Sequence, residues 1–286
     1  MSNMSKFSIL FFSVGLSSVI LASAANRDIS KTMAADPQKS SLSLVANGED
    51  FVRQGFVSKD DWKINFDRLY VSMSDAVAYS TSSSFEPQKG DTKSSIDYQE
   101  KVALIDGEKI IDLAEGDIDA EPIIVSQAKV PTGFYNALSW KLSTAKSDSE
   151  IAGNTIALVG QATKDGETIN FNLGFNRPVE YICGEFIGDE RQGIVTADTS
   201  GQVETTFHFD HIFGDGDTPP EEALNQDALG FEPIAKLASN GMVDLDEAQL
   251  SQKLSQKDYE KLTQAIVGLG HVGEGHCVTN EDETNP

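Results

Sequence analysis

The chain has 286 residues, of which 45 are acidic and 22 are basic, so its formal net charge is −23 at neutral pH. This charge disfavours nucleic acids and anionic membrane surfaces as partners, because both repel a strongly acidic protein. It favours solubility and raises the local concentration of cations.

Residues 1–24 have the pattern of a secretory signal peptide. Lys6 precedes an apolar run over residues 7–21, which is short for a membrane span, and residues 22–24 read Ala-Ser-Ala. We therefore predict cleavage before Ala25 and a periplasmic or secreted mature protein. No cysteine lies directly after the apolar run, where a lipoprotein would carry one, and no later stretch is long and apolar enough to cross a bilayer, so we expect no membrane anchor.

The two cysteines of the chain are Cys183 and Cys277. A single pair in an oxidising compartment favours a disulfide bond. Closing a loop of about 94 residues would stabilise the fold by roughly 4 kcal/mol in the chain-entropy model. The alternative is that one thiolate belongs to a metal site.

The two ends of the mature chain have few large apolar residues. Residues 25–48 are rich in small and polar side chains and predict a flexible leader, and residues 278–286 predict a disordered acidic tail. Between them, residues 49–277 predict a single domain.

From residue 49 to about residue 210, apolar and polar side chains alternate with a period of two. Such alternation indicates strands, and roughly ten of them with turns between predict a mainly β protein, a β-sandwich. Asp106-Gly107 and Asp165-Gly166 each separate two strand-like segments, which predicts two hairpins.

Helical patterns follow Pro220, at about residues 221–268, and predict a small helical segment packed on the sandwich. A break is expected near Gly230. Ser255, with Asp258 three residues later, predicts the start of a helix that ends at Gly268.

The histidines carry the functional signal, because all four lie in two short segments, residues 207–215 and 271–277. If the first segment were one straight strand, His208 and His211 would face opposite sides. If the strand ends near Asp210, the chain can turn and bring the two rings together. The second segment is rich in glycine and can wrap around an ion. We predict a tetrahedral zinc site with four candidate ligands: His208, His211, His271 and His276.

Three carboxylates, Asp210, Glu274 and Glu185, are candidate auxiliary ligands or acceptors that orient an imidazole. Other first-row metals bind the same donors. Residues 239–247 resemble the second half of an EF-hand loop, but Lys236 and Ala238 would fall on its first ligand positions. Calcium is therefore not expected there, and a connection between two helices is the simpler interpretation.

Three stretches of the chain, residues 48–62, 207–215 and 270–277, resemble a family of little-characterised exported bacterial proteins. The resemblance extends over about residues 46–277. It implies a loose link to zinc homeostasis and transfers no catalytic residue.

We therefore expect an exported protein that captures, buffers or delivers zinc, with a metal transporter as a possible partner. Neutral imidazoles bind the ion, so affinity should fall below pH ~6.5. The chain has no HExxH, GxSxG, phosphate-binding or CxxC motif, so catalysis is not the first expectation. The alternatives are a zinc-dependent hydrolase with Glu274 as its base, and a binding or adhesion sandwich whose histidines are incidental.

Overall fold

The computed structural model describes residues 40–184, 193–273 and 275–281, and it omits the side chains of Gln88, His276, Asn280 and Glu281. The described residues all belong to one compact unit, Pro37–Pro286. The signal peptide, its cleavage site before Ala25 and residues 25–39 of the expected leader lie outside the described residues.

Strands dominate the described ranges and confirm the mainly β prediction. They are β1 (Ser40–Asn47), β2 (Phe56–Val57), β3 (Lys63–Thr81), β4 (Tyr98–Ala103), β5 (Glu108–Asp112), β6 (Ile123–Val130), β7 (Gly133–Tyr135), β8 (Ala137–Leu142), β9 (Ile156–Lys164), β10 (Glu167–Phe175), β11 (Val179–Cys183), β12 (Gly193–Val195), β13 (Gly201–Phe207), β14 (Met242–Asp246), β15 (Gly270–Val272), β16 (Gly275–His276) and β17 (Val278–Glu281).

The helices are short and most of them follow β13. They are α1 (Asp50–Gln54), α2 (Asp210–Phe213), α3 (Ala223–Asp227), α4 (Glu232–Ala235), α5 (Glu247–Lys253) and α6 (Gln256–Val267), with 3-10 turns at Pro87–Lys89 and Lys93–Ser95. Among the helices of the described ranges, none has the length and apolar character needed to span a bilayer.

Two large sheets share one hydrophobic core, as expected for a β-sandwich. The five-stranded sheet has the order β16-β15-β13-β1-β6, and the ten-stranded sheet has the main path β14-β10-β9-β3-β8-β11-β17, with β2, β4 and β5 also paired to β3. Buried side chains of β1 and β13, such as Leu44 and Phe207, belong to the same cluster as Val71, Trp140 and Leu158 of the larger sheet. Strands β7 and β12 form a separate pair.

The prediction of a flexible leader is wrong for residues 40–48. Ser40–Asn47 form β1, which pairs in parallel with β13 and antiparallel with β6. Its side chains at Leu42, Leu44 and Ala46 are fully buried. Burial of these apolar side chains in the core, together with the pairing of β1 to two strands, outweighs the polar composition of the segment.

The predicted hairpin at Asp106-Gly107 is also wrong, whereas the one at Asp165-Gly166 is confirmed. Strand β4 pairs with Val77–Thr81 of the 19-residue strand β3, and β5 pairs with Tyr70–Ser74 of the same strand. The two strands therefore lie one after the other along β3. Strands β9 and β10 pair antiparallel in full register. The turn between them has positive φ at both Asp165 and Gly166, as a two-residue hairpin requires.

The predicted helical segment is confirmed in part, because α3, α4, α5 and α6 lie within residues 221–268 but Met242–Asp246 between them form β14. Gly230 has φ 84° between α3 and α4. The side chain of Ser255 accepts a hydrogen bond from the Asp258 amide at the start of α6, and Gly268 ends this helix.

The disulfide between Cys183 and Cys277 is present, with the two Cα atoms 4.4 Å apart. The alternative in which a thiolate binds the metal is therefore wrong for this state of the protein. Beyond Cys277, Val278–Glu281 form β17 and pair with β11. The expected disordered tail thus does not include residues 278–281, because backbone pairing with β11 orders them, and residues 282–286 lie outside the described residues.

Candidate metal centre

Residues 207–213 change from a strand to a helix, and this change places the first histidine segment. Strand β13 ends at Phe207, and α2 begins at Asp210. The rings of Phe207, Phe209 and Phe213 are fully buried in the core. Because these three rings fix the segment from the core side, the turn at its start can bring His208 and His211 to the same side, as predicted for a strand that ends early.

The rings of three histidines converge at this turn. Ring centroids of His208 and His271 are 4.2 Å apart, those of His211 and His271 are 5.2 Å apart, and those of His208 and His211 are 5.5 Å apart. His208 and His271 are buried, with 8% and 4% of their surface exposed. Two segments that are distant in the sequence thus meet at one point.

His271 is placed by the strand that carries it. In β15 it lies opposite Thr206 of β13, and the Thr206 hydroxyl accepts a hydrogen bond from the Gly273 amide. Nε2 of His271 lies 3.2 Å from the carbonyl oxygen of Gly268, which can only accept. A hydrogen bond there places the ring hydrogen on Nε2 and makes Nδ1 the lone-pair atom of this imidazole.

His208, Asp210 and His211 form a group that could hold a metal ion, because one ligand atom from each lies within 4.8 Å of the others. Within the described residues, Nε2 of His208 and Oδ1 of Asp210 are buried and have no hydrogen-bond partner. A buried polar atom left without a partner costs about 1–3 kcal/mol. Two such atoms in one cluster of ligand-type side chains would both be satisfied by a single bound cation.

Glu49 also reaches this cluster, and the sequence did not suggest it. Its Oε2 atom lies 3.5 Å from Nδ1 of His208. Glu49 lies two residues after the end of β1, and β1 lies beside β13 in the sheet. The signal in the sequence is an acidic residue soon after an alternating run of apolar residues, Leu42, Leu44 and Ala46, in a segment whose composition predicts a flexible leader.

The remaining predicted ligands are only partly described. The backbone of His276 lies opposite His271 in the β15–β16 pair, but its side chain is not described. Glu274 and Glu185 lie outside the described residues. The prediction that these three side chains contribute to the site stays a prediction.

The EF-hand-like stretch, residues 239–247, contains a strand where a connection between two helices is expected. Met242–Asp246 form β14, which pairs in parallel with β10, so this is not a direct helix-to-helix connection. The carboxylate of Asp244 accepts a hydrogen bond from Asn172 at 2.9 Å, and Glu247 forms an ion pair with Arg177 at 2.7 Å. Asp244 and Glu247, two carboxylates of the EF-hand-like stretch, thus bind other side chains.

Comparisons with protein-family models, with curated proteins and with solved structures find no match for this chain. The interpretation of the centre therefore depends on its own geometry. Imidazole nitrogens and a carboxylate oxygen, partly buried and close together, are donors typical of zinc and other first-row metals.

Proposed function

We propose that the protein is an exported metal-binding protein and that zinc is the ion it captures, buffers or delivers. The observation that carries this proposal is a pair of buried atoms, Nε2 of His208 and Oδ1 of Asp210, that have no hydrogen-bond partner among the described residues and lie next to two further imidazoles. Most buried polar atoms have a hydrogen-bond partner, and two unpaired atoms on neighbouring ligand-type side chains support an ion as the missing partner.

The choice of zinc follows from the donor set. Zinc favours three or four nitrogen, sulfur or oxygen donors in a tetrahedral arrangement. His208, Asp210 and His211 offer three donors within 4.8 Å of one another, and the ring of His271 next to them is the proposed fourth. Copper and nickel bind similar donors, so the identity of the ion is part of the test. The net charge of −23 favours the approach of any cation.

The proposed location outside the cytoplasm is supported by the signal-peptide pattern of residues 1–24 and by the disulfide bond, which is typical of oxidising compartments. Delivery, as distinct from buffering, requires an acceptor, and a metal transporter is the partner of that kind we propose. The hydrolase alternative depends on Glu274, which is not described.

The test is metal analysis of protein purified without a histidine tag, followed by zinc affinity from competition with a chromogenic chelator. We expect bound zinc in the unmodified protein and loss of high-affinity binding when His208, His211 and His271 are all changed to Ala. Asp210→Asn should weaken binding, whereas Asp217→Asn, which removes a charge from an exposed position seven residues away, should not. Unchanged affinity in the triple variant would contradict the proposal.

A further inference from the structure

The backbone of Glu49 has a conformation that is unusual for a residue with a side chain. Its φ is 63° and its ψ is 173°, a region that is essentially restricted to glycine. The other described non-glycine residues with positive φ are all Asp or Asn, residue types that tolerate positive φ comparatively well: Asp61, Asp75, Asp165 and Asn240. Glu49 is thus the exception within the described ranges.

Gly48 lies next to Glu49. The space around Gly48 is too crowded for a side chain, so the glutamate could not stand at position 48 with the glycine at position 49. A Cβ atom at Gly48 would lie 2.8 Å from Cγ2 of Val52 and 3.2 Å from Cβ of Leu113. Position 48 therefore requires glycine for packing. Position 49 would be least strained with glycine, and yet it carries a long acidic side chain.

The side chain of Glu49 does not serve the helix that follows it. Glu49 is the residue before α1, but its carboxylate makes no capping hydrogen bond to this helix. The carboxylate instead lies 3.5 Å from Nδ1 of His208. Strained backbone is retained where the surrounding structure enforces it, and it is concentrated at functional sites.

The contact has a clear consequence for His208. A carboxylate beside Nδ1 favours the tautomer with its hydrogen on Nδ1, which leaves the lone pair on Nε2. Nε2 of His208 is buried and has no hydrogen-bond partner in the part of the chain that the structure describes. Metal-binding histidines commonly have this arrangement, with a carboxylate on one ring nitrogen and the ion on the other.

We propose that Glu49 is a positioning residue of the metal centre, which fixes the ring and tautomer of His208 so that Nε2 faces the ion. The inference rests on the proposed metal site. The contact with His208 gives a physical reason for a glutamate at a position whose backbone conformation glycine would adopt with less strain.

A pair of variants separates this role from a structural one. Glu49→Ala and Glu49→Gly both remove the carboxylate, but only glycine relieves the backbone. We expect both to lower zinc affinity by about 10–100-fold, the effect typical of residues that support a metal ligand. The metal-free Glu49→Gly variant should melt at a higher temperature than the metal-free Glu49→Ala variant. Glu49→Gln, whose amide oxygen can still accept from Nδ1, should lose less affinity than either.

Asp165→Gly is the control, because it replaces another positive-φ residue in the distant β9–β10 turn. It should leave zinc affinity unchanged. If the unmodified protein binds zinc and both Glu49 variants bind it as tightly as the unmodified protein does, the positioning role is wrong while the metal site stands. If Glu49→Gly recovers affinity together with stability, Glu49 acts only through the fold and the inference is likewise overturned. If the unmodified protein binds no metal, both proposals fail.

Discussion

The backbone of Gly270 lies directly against the ring of Tyr181, so that a Cβ atom at position 270 would come within 2.5 Å of Cε1 of the tyrosine. Trp140 stacks on the same ring with centroids 4.1 Å apart, and a Cβ at position 270 would lie 2.6 Å from its Cη2 atom. Both aromatic side chains are fully buried. β15, the strand that carries His271, packs against these two rings.

Gly270→Ala should therefore displace β15 and weaken zinc binding as well as stability. The methyl group has no room between two buried rings, and overpacking of this kind costs about 1–3 kcal/mol. Urea unfolding and the chelator competition assay measure the two effects. Gly133→Ala is the matched control, since its nearest contact would be at 3.6 Å, and equal effects of the two substitutions would contradict the explanation.

Removing the disulfide by Cys183→Ser together with Cys277→Ser should lower the free energy of unfolding by about 2–5 kcal/mol. The bond closes a separation of 94 residues and holds the end of β11 to the chain just before β17. Urea unfolding with and without a dithiol reductant measures this. The reductant should destabilise the unmodified protein but not the double variant, and no difference between the two proteins would contradict the prediction.

Asp60→Ala should destabilise the protein by about 1–3 kcal/mol without affecting zinc affinity. Oδ1 of Asp60 accepts hydrogen bonds from the Ser58 hydroxyl at 2.6 Å and from the Phe231 amide at 3.1 Å, and Oδ2 accepts one from the Glu232 amide at 2.7 Å. Thermal unfolding measures the loss. Asp61→Asn, at the next position, is the control, and a comparable loss there would show that Asp60 has no special role.

The stability of the protein should depend on Glu232 in acid. A hydrogen bond from Nε1 of Trp62, at 3.0 Å, holds the pKa of the Glu232 carboxyl below its ordinary value of 4.5, and Lys164 and Lys236 act in the same direction. Because the folded-state pKa is lower than the unfolded one, this stabilisation is present above pH 4.5 and is lost as the pH falls through the lower value.

Glu232→Gln should therefore flatten the acid limb of a plot of unfolding free energy against pH. Trp62→Phe, which removes the donor, should flatten it in the same way, and the two changes combined should add little. If the acid limb of either single variant has the slope of the unmodified protein, the assignment to this hydrogen bond is wrong.

The sequence predicts those parts of the fold that depend on residues close together in the chain. The Asp165-Gly166 turn requires two residues with positive φ, and the Ser255 cap requires one hydroxyl and one amide three residues on, so both are visible in the sequence. β1 was not predicted, because its partners are β13 and β6 and neither lies near it in the chain. The Asp106-Gly107 hairpin failed for the same reason, since β3 pairs with both neighbouring strands.

The candidate site shows the same division. The grouping of histidines in two segments was evident, and a strand that ends early allowed His208 and His211 to meet. Glu49 could not be predicted, because its proximity to His208 follows from the pairing of β1 with β13. The run from Ser58 to Trp62, which contributed to the resemblance, has a structural role that only the contacts of Asp60 reveal.

The parallel pairing of β1 with β13 sets an order of assembly for a chain that emerges from its N-terminal end. Residues 40–47 cannot complete their sheet until residues 201–207 are available, and His271 joins later still with β15. Such long-range pairing is slow to form. The candidate metal centre can therefore be complete only after both segments are available, and a nascent or truncated chain that ends before residue 270 would lack the contribution of His271.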